Sequence, residues 1–135
     1  MANYYGQFRS NYFRVKDLEA FKEWCEKYDL QFFQRTQDPE LVGFGNRGWE
    51  HGFPEWISTE TIDGRVEVDL FQELAKHLQD NEVAIVMEVG QERLRYFTGY
   101  AIAVNAAGER LGIDLTDIYS LVETEWGVVP TQAVY

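Results

Sequence analysis

His51 lies with Glu50 and Glu55 in a stretch rich in glycine and aromatic residues, the more interesting setting of the two histidines for proton transfer. A Glu–His pair can titrate near neutrality, as a general base requires, but no nucleophile is placed for it to activate. His77, the only other histidine, falls beside the apolar face of a helical segment. Neither histidine has a second Cys, His or carboxylate at metal-ligating spacing. The single cysteine, Cys25, sits on an apolar arc between Phe21 and Tyr28, with Glu23 and Glu26 nearby. It reads as a small buried hydrophobe, because a reactive thiolate needs an electropositive setting. Gly43-Phe44-Gly45-Asn46-Arg47-Gly48 has the glycines of a phosphate loop but lacks the Lys-Ser/Thr ending and a helix directly after it. The expectation is a non-enzymatic protein with no cofactor and no metal.

Charge is the stronger signal. Residues 1–49 balance seven acids against seven bases, so the whole net charge of −11 falls in residues 50–135. There the bases are only Arg65, Lys76, Arg93, Arg95 and Arg110. Such a chain repels polyanions and anionic membrane, and it steers toward basic protein surfaces. The one stretch with a nucleic-acid flavour interleaves Arg9, Arg14 and Lys16 with Tyr5, Phe8, Tyr12 and Phe13. It is short, and the acidic remainder opposes approach of DNA or RNA, so a first strand with a basic wet face is expected instead. Some acids serve solubility, and Asp69 and Asp117 suit helix N-termini. The excess is larger than those roles need. Glu67, Asp69, Glu73, Asp80, Asp114, Asp117, Glu123 and Glu125 are the expected partner-binding carboxylates, imitating phosphates on a basic groove. Trp49 and Trp56 are the expected aromatic anchors.

The elements that must carry these groups follow from periodicity. Ser10 to Val15 alternates as a strand. Leu18, Phe21, Trp24, Cys25 and Tyr28 form one face of a helix over about 17–28, with Asp17 at its start. Leu30 to Thr36 and Leu41 to Gly45 read as a hairpin turned at Asp38-Pro39. From Phe44 to Trp56, glycines alternate with aromatics in what reads as an ordered aromatic loop, and Asp63-Gly64 is a turn. Asp69 to Gln79 is a second helix, with Leu70, Phe71, Leu74, Ala75 and Leu78 inward. Glu82 to Val89 is the most apolar segment and reads as a central strand, turned at Gly90-Gln91-Glu92 into Arg93–Val104. Gly99 there suits a bulge or a crossing point. Ala106-Ala107-Gly108 turns into Arg110–Leu115, and Thr116 caps a third helix over 117–126 that Gly127 stops.

The order β-α-β-β-loop-α-β-β-β-α predicts one α+β domain over 1–135, with a mostly antiparallel sheet of about six strands and three helices packed on it. The two β-rich halves suggest a weak duplication without residue repeats. The longest apolar stretch, Val83 to Met87, is far short of the roughly 20 residues of a membrane span. The N-terminus lacks a basic and apolar leader, and a lone cysteine fits a reducing compartment, so the expected location is the cytoplasm.

Asn3-Tyr4-Tyr5-Gly6, Arg9-Ser10-Asn11-Tyr12-Phe13-Arg14-Val15-Lys16-Asp17, Leu41-Val42-Gly43-Phe44-Gly45 and Glu92-Arg93-Leu94-Arg95-Tyr96 resemble segments of small proteins of phages and conjugative elements. Those proteins are largely uncharacterised and lie near genes that counter restriction or CRISPR immunity. The resemblance implies a neighbourhood and no functional residue. With the acidic bias it gives the leading expectation: an anti-CRISPR-like inhibitor that binds the basic surface of a nucleic-acid-binding defence complex, without touching nucleic acid or membrane. Two alternatives are an immunity or antitoxin protein against a basic toxin nuclease, and a small-ligand binder using the Trp49–Trp56 loop. The sequence leaves the oligomeric state open.

Overall fold

The computed structural model describes residues 4–48, 52–92 and 96–133. Strand β1 (Tyr4–Ser10) is followed by the two-residue β2 (Phe13–Arg14), helix α1 (Leu18–Lys27), and the hairpin β3 (Leu30–Gln34) and β4 (Leu41–Asn46). A second hairpin, β5 (Trp56–Thr61) and β6 (Gly64–Asp69), runs directly into α2 (Leu70–His77). Then come β7 (Val83–Glu92), β8 (Tyr96–Asn105), β9 (Arg110–Asp114) and α3 (Asp117–Trp126). Seven strands make one antiparallel sheet, in which β4 is flanked by β3 and by β1 with β2, and β1 is followed by β7, β8 and β9; β5–β6 stands apart.

Every ladder is antiparallel, so β1 and β3 run parallel on either side of β4, joined by α1. In the same way β4 and β7 run parallel on either side of β1, joined through the hairpin and α2. Two interleaved β-α-β units result, the split arrangement of ferredoxin-like domains, with β8, β9 and α3 added beyond β7.

The expected first strand is shifted. β1 ends at Ser10, and one extra residue separates the pairs Arg9–Gly45 and Phe13–Val42, so β1 and β2 form one bulged strand. Polar side chains complete the broken ladder. Ser10 Oγ accepts from the Phe44 N–H at 2.9 Å, and Asn11 Oδ1 accepts from the Ile85 N–H at 2.7 Å while its Nδ2 donates to the Val83 carbonyl at 3.0 Å. Gly43 is required here, since a Cβ would sit 2.7 Å from the Asn11 carbonyl oxygen.

Helix α1 forms over the expected residues, with Asp17 accepting from the Ala20 N–H at 3.2 Å. Phe21, Trp24 and Cys25 are buried against the sheet, and α2 buries Leu70, Phe71, Leu74 and Ala75 beside them. Glu73 joins the two helices by accepting from Trp24 Nε1 at 3.0 Å and the Tyr28 hydroxyl at 3.3 Å. The aromatic loop is shorter than the sequence reading: Phe44 is a buried residue of β4, and Trp56 opens β5. Phe53 does insert, packing on Phe8, Phe44 and Phe71 with ring centroids 5.0 to 5.6 Å away. β5 and β6 were not legible, because Ser58, Glu60, Arg65 and Glu67 offer no apolar face beyond Ile57, Val66 and Val68. The turn between them does fall beside Asp63-Gly64.

β7 runs past the expected turn to Glu92 and lies inside the sheet between β1 and β8. Gly99 stays in register with Val89, so it marks close approach and not a bulge: a Cβ there would meet the Leu115 side chain at 2.9 Å. Gly127 ends α3 with φ 67°, as a C-terminal glycine should. Thr116 makes no side-chain cap; instead Asp117 accepts from the Asp114 N–H at 2.8 Å and Asp114 from the Thr116 N–H at 2.8 Å. Unlike α1 and α2, α3 buries none of its side chains. Among the described residues no helix is long and apolar enough to cross a membrane.

Candidate binding surface

Of the eight carboxylates singled out by sequence, some are engaged within the fold. Asp69 is the N-cap of α2, accepting from the Phe71 and Gln72 N–H groups at 3.0 and 3.3 Å, and it also pairs with Arg110. Arg110 reaches Glu55 at 3.5 Å and lies 5.1 Å over the Phe71 ring, pinning β9 to the start of α2. Glu73 is committed to Trp24 and Tyr28, and Asp114 and Asp117 organise the β9–α3 corner. Glu67, Asp80, Glu123 and Glu125 are exposed, with no ion pair or side-chain hydrogen bond among the described residues.

The fold gathers one subset. Glu55, Asp114 and Asp117 line a cavity of about 480 Å³ with Phe97, Thr98 and Tyr100. Asp69 is linked to Glu55 of that cavity through Arg110, and Trp56, paired with Asp69 across β5–β6, is exposed. Asp80 follows the opposite end of α2, so the eight carboxylates do not converge on one spot. From Leu111 to Ala133 the chain carries Asp114, Asp117, Glu123 and Glu125 and no base. Ile118, Leu121 and Trp126 of α3 are also exposed, giving this limb an acidic and apolar surface together. Trp49, Glu50 and His51, and with them the Glu–His candidate, lie outside the described residues.

Cys25 is 1 % exposed, and burial pushes its thiol up to about 12 against the opposing pull of Arg47. It is a packing residue. His77 is half-buried between Phe21 and Trp24, with ring centroids at 5.8 and 5.5 Å. Burial lowers its pKa, against Glu73 and Asp17, which favour the cation. Gly43 and Gly45 belong to strand β4 and not to a phosphate loop. Among the described residues no cluster of three or more His, Cys, Asp or Glu is arranged to hold a metal.

The sequence reading overlooked Glu88, a buried carboxylate on the core side of β7. Its Oε1 accepts from the Phe53 N–H at 2.6 Å and the Tyr100 hydroxyl at 2.8 Å, fixing the Gly52–Glu55 segment to the sheet. The signal was parity: Ala84, Val86 and Glu88 alternate on one face, so a charge in the inward series had to be satisfied there.

Comparison with protein-family models, curated proteins and solved structures finds no match to this chain.

Proposed function

We propose that this protein is a non-enzymatic acidic inhibitor of anti-CRISPR type, which occupies the basic nucleic-acid-binding surface of a host defence nuclease complex. The observation that carries the reading is an excess of eleven negative charges in residues 50–135, much of it on exposed carboxylates without partners among the described residues. Self-repulsion makes that excess costly to a lone molecule, whereas a groove lined with Lys and Arg for phosphates offers carboxylates the opposite charge. Trp56, exposed, paired with Asp69 across the hairpin and next in the chain to Glu55, is the aromatic anchor within the described residues. The resemblance of the N-terminal segments to proteins of mobile elements supports the same setting.

The test is retention of host proteins on immobilised protein, washed at about 50 and then about 200 mM salt, a range over which phosphate-like contacts weaken strongly. A nucleic-acid-processing complex held at low salt and released at high salt is expected. Reversing Glu67 and Asp80 together should weaken its capture strongly without lowering the melting temperature. Undiminished capture by the reversed protein would sink the electrostatic account.

A further inference from the structure

Two surfaces of this molecule stand uncovered, and their characters are complementary. The first is the side of the sheet opposite α1 and α2. There Tyr12, Phe33, Met87 and Val89 line two adjoining cavities of about 510 and 400 Å³, with Arg9 at both and Arg35 at the larger. Arg9 lies 6.0 Å from the Tyr12 ring and 5.7 Å from the Phe33 ring, and Arg35 lies 4.8 Å from Tyr12. Neither arginine pairs with a carboxylate among the described residues. In a chain of net charge −11 this is a local basic, aromatic groove.

The second is α3. Ile118, Leu121, Val122 and Trp126 recur at i, i+3, i+4 and i+8, the stripe of a helix that packs on something, yet no side chain of α3 is buried. A ten-residue helix is shorter than the roughly 12–15 residues needed for even marginal stability in water, so its stripe calls for a cover. Glu123 and Glu125 accompany the stripe, with no base on the helix. An acidic amphipathic helix and an arginine-rimmed apolar groove are the two halves of a helix-in-groove contact.

We infer that the protein forms a two-fold dimer in which α3 of each copy lies in the Arg9–Arg35 groove of the other. Glu123 and Glu125 meet the unpaired arginines, and the apolar stripe covers Phe33, Met87 and Val89. Reciprocity is what a two-fold axis imposes, and it doubles the area that one short helix supplies. The assembly is independent of the proposed target, since Glu67 and Asp80 take no part in it and its readout needs only the purified protein.

Sedimentation velocity of the full chain is expected to give twice the 15.8 kDa chain mass. R9E/R35E places acids against an acidic helix, and E123R/E125R places bases against a basic groove; each should dissociate to monomer, weakening association by roughly 100-fold. Mixed together, the two chains regain opposite charges at both contacts and should form a heterodimer. L121D, at an exposed position that cannot unfold the core, should also be monomeric. A wild-type protein that stays monomeric at about 100 μM, a concentration that populates even weak dimers, overturns the inference. So does a dimer that these reversals leave intact, or a mixture that does not re-associate.

Discussion

Glu88 and His77 show how burial assigns a role to a group that sequence leaves ambiguous. A carboxylate in the inward series of a central strand survives because Phe53 N–H and Tyr100 O–H meet it, so it acts as a structural clamp on the segment before β5. His77 is the opposite case, an imidazole whose charged form is disfavoured by burial beside Phe21 and Trp24, against Glu73 and Asp17. Its folded pKa lies below the unfolded value, so the unfolded chain binds the proton first as pH falls. Stability contributed by the neutral ring is complete above about pH 6.5 and is lost as pH drops toward the folded value. Melting curves between about pH 7.5 and 5.5 should therefore fall less steeply for His77→Asn than for the wild type. Parallel curves would remove His77 from the acid response.

At the scale of elements, α2 is held at both ends by features outside its own periodicity. Asp69 caps its first turn and ties it to β9 through Arg110, while the His77 carbonyl accepts from the Lys16 N–H at 2.8 Å at the other end. Asp69 is thus a structural residue as well as a candidate binding residue. Asp69→Ala should cost about 1–2 kcal/mol, the usual loss for an N-cap with further contacts. Glu67→Ala, two residues away on the same hairpin, should stay within about 0.5 kcal/mol. Chemical denaturation of the two variants checks this, and equal losses would mean that the hairpin surface, and not the cap, carries the effect. The same distinction applies to any binding experiment. Reversals at Asp69 or Glu73 disturb the fold, and those at Glu123 or Glu125 the proposed dimer, whereas those at Glu67 and Asp80 report on the target-binding surface.

For the whole molecule the governing quantity is the uneven charge. With eleven uncompensated acids beyond residue 49, mutual repulsion opposes compaction, and salt should relieve it as the Debye length shrinks. The melting temperature is expected to rise as NaCl is increased from about 10 to about 200 mM. A fall would mean that ion pairs such as Arg110–Asp69 and Arg14–Asp38 outweigh the repulsion. The same field makes encounter with a basic partner fast and salt-sensitive, which ties the proposed function to a measurable rate.

Features under local chemical control are legible along the chain. Apolar periodicity located α1, α2, α3 and the long strands within a few residues, and Asp17 and Gly127 marked helix ends, because each depends on neighbours in the chain. Composition gives the charge, and the order of those elements along the chain gives the α+β class. The rest depends on how they pack. The pairing of β4 with β1, the bulge repaired by Ser10 and Asn11, and the Asp69–Arg110 pair join residues about 30 to 75 positions apart. Whether a carboxylate is a cap, a clamp or a free surface charge depends on which distant donor arrives beside it. Nor can a stripe on α3 tell from sequence whether its own sheet covers it, because that depends on which sheet surface the fold brings beside the helix.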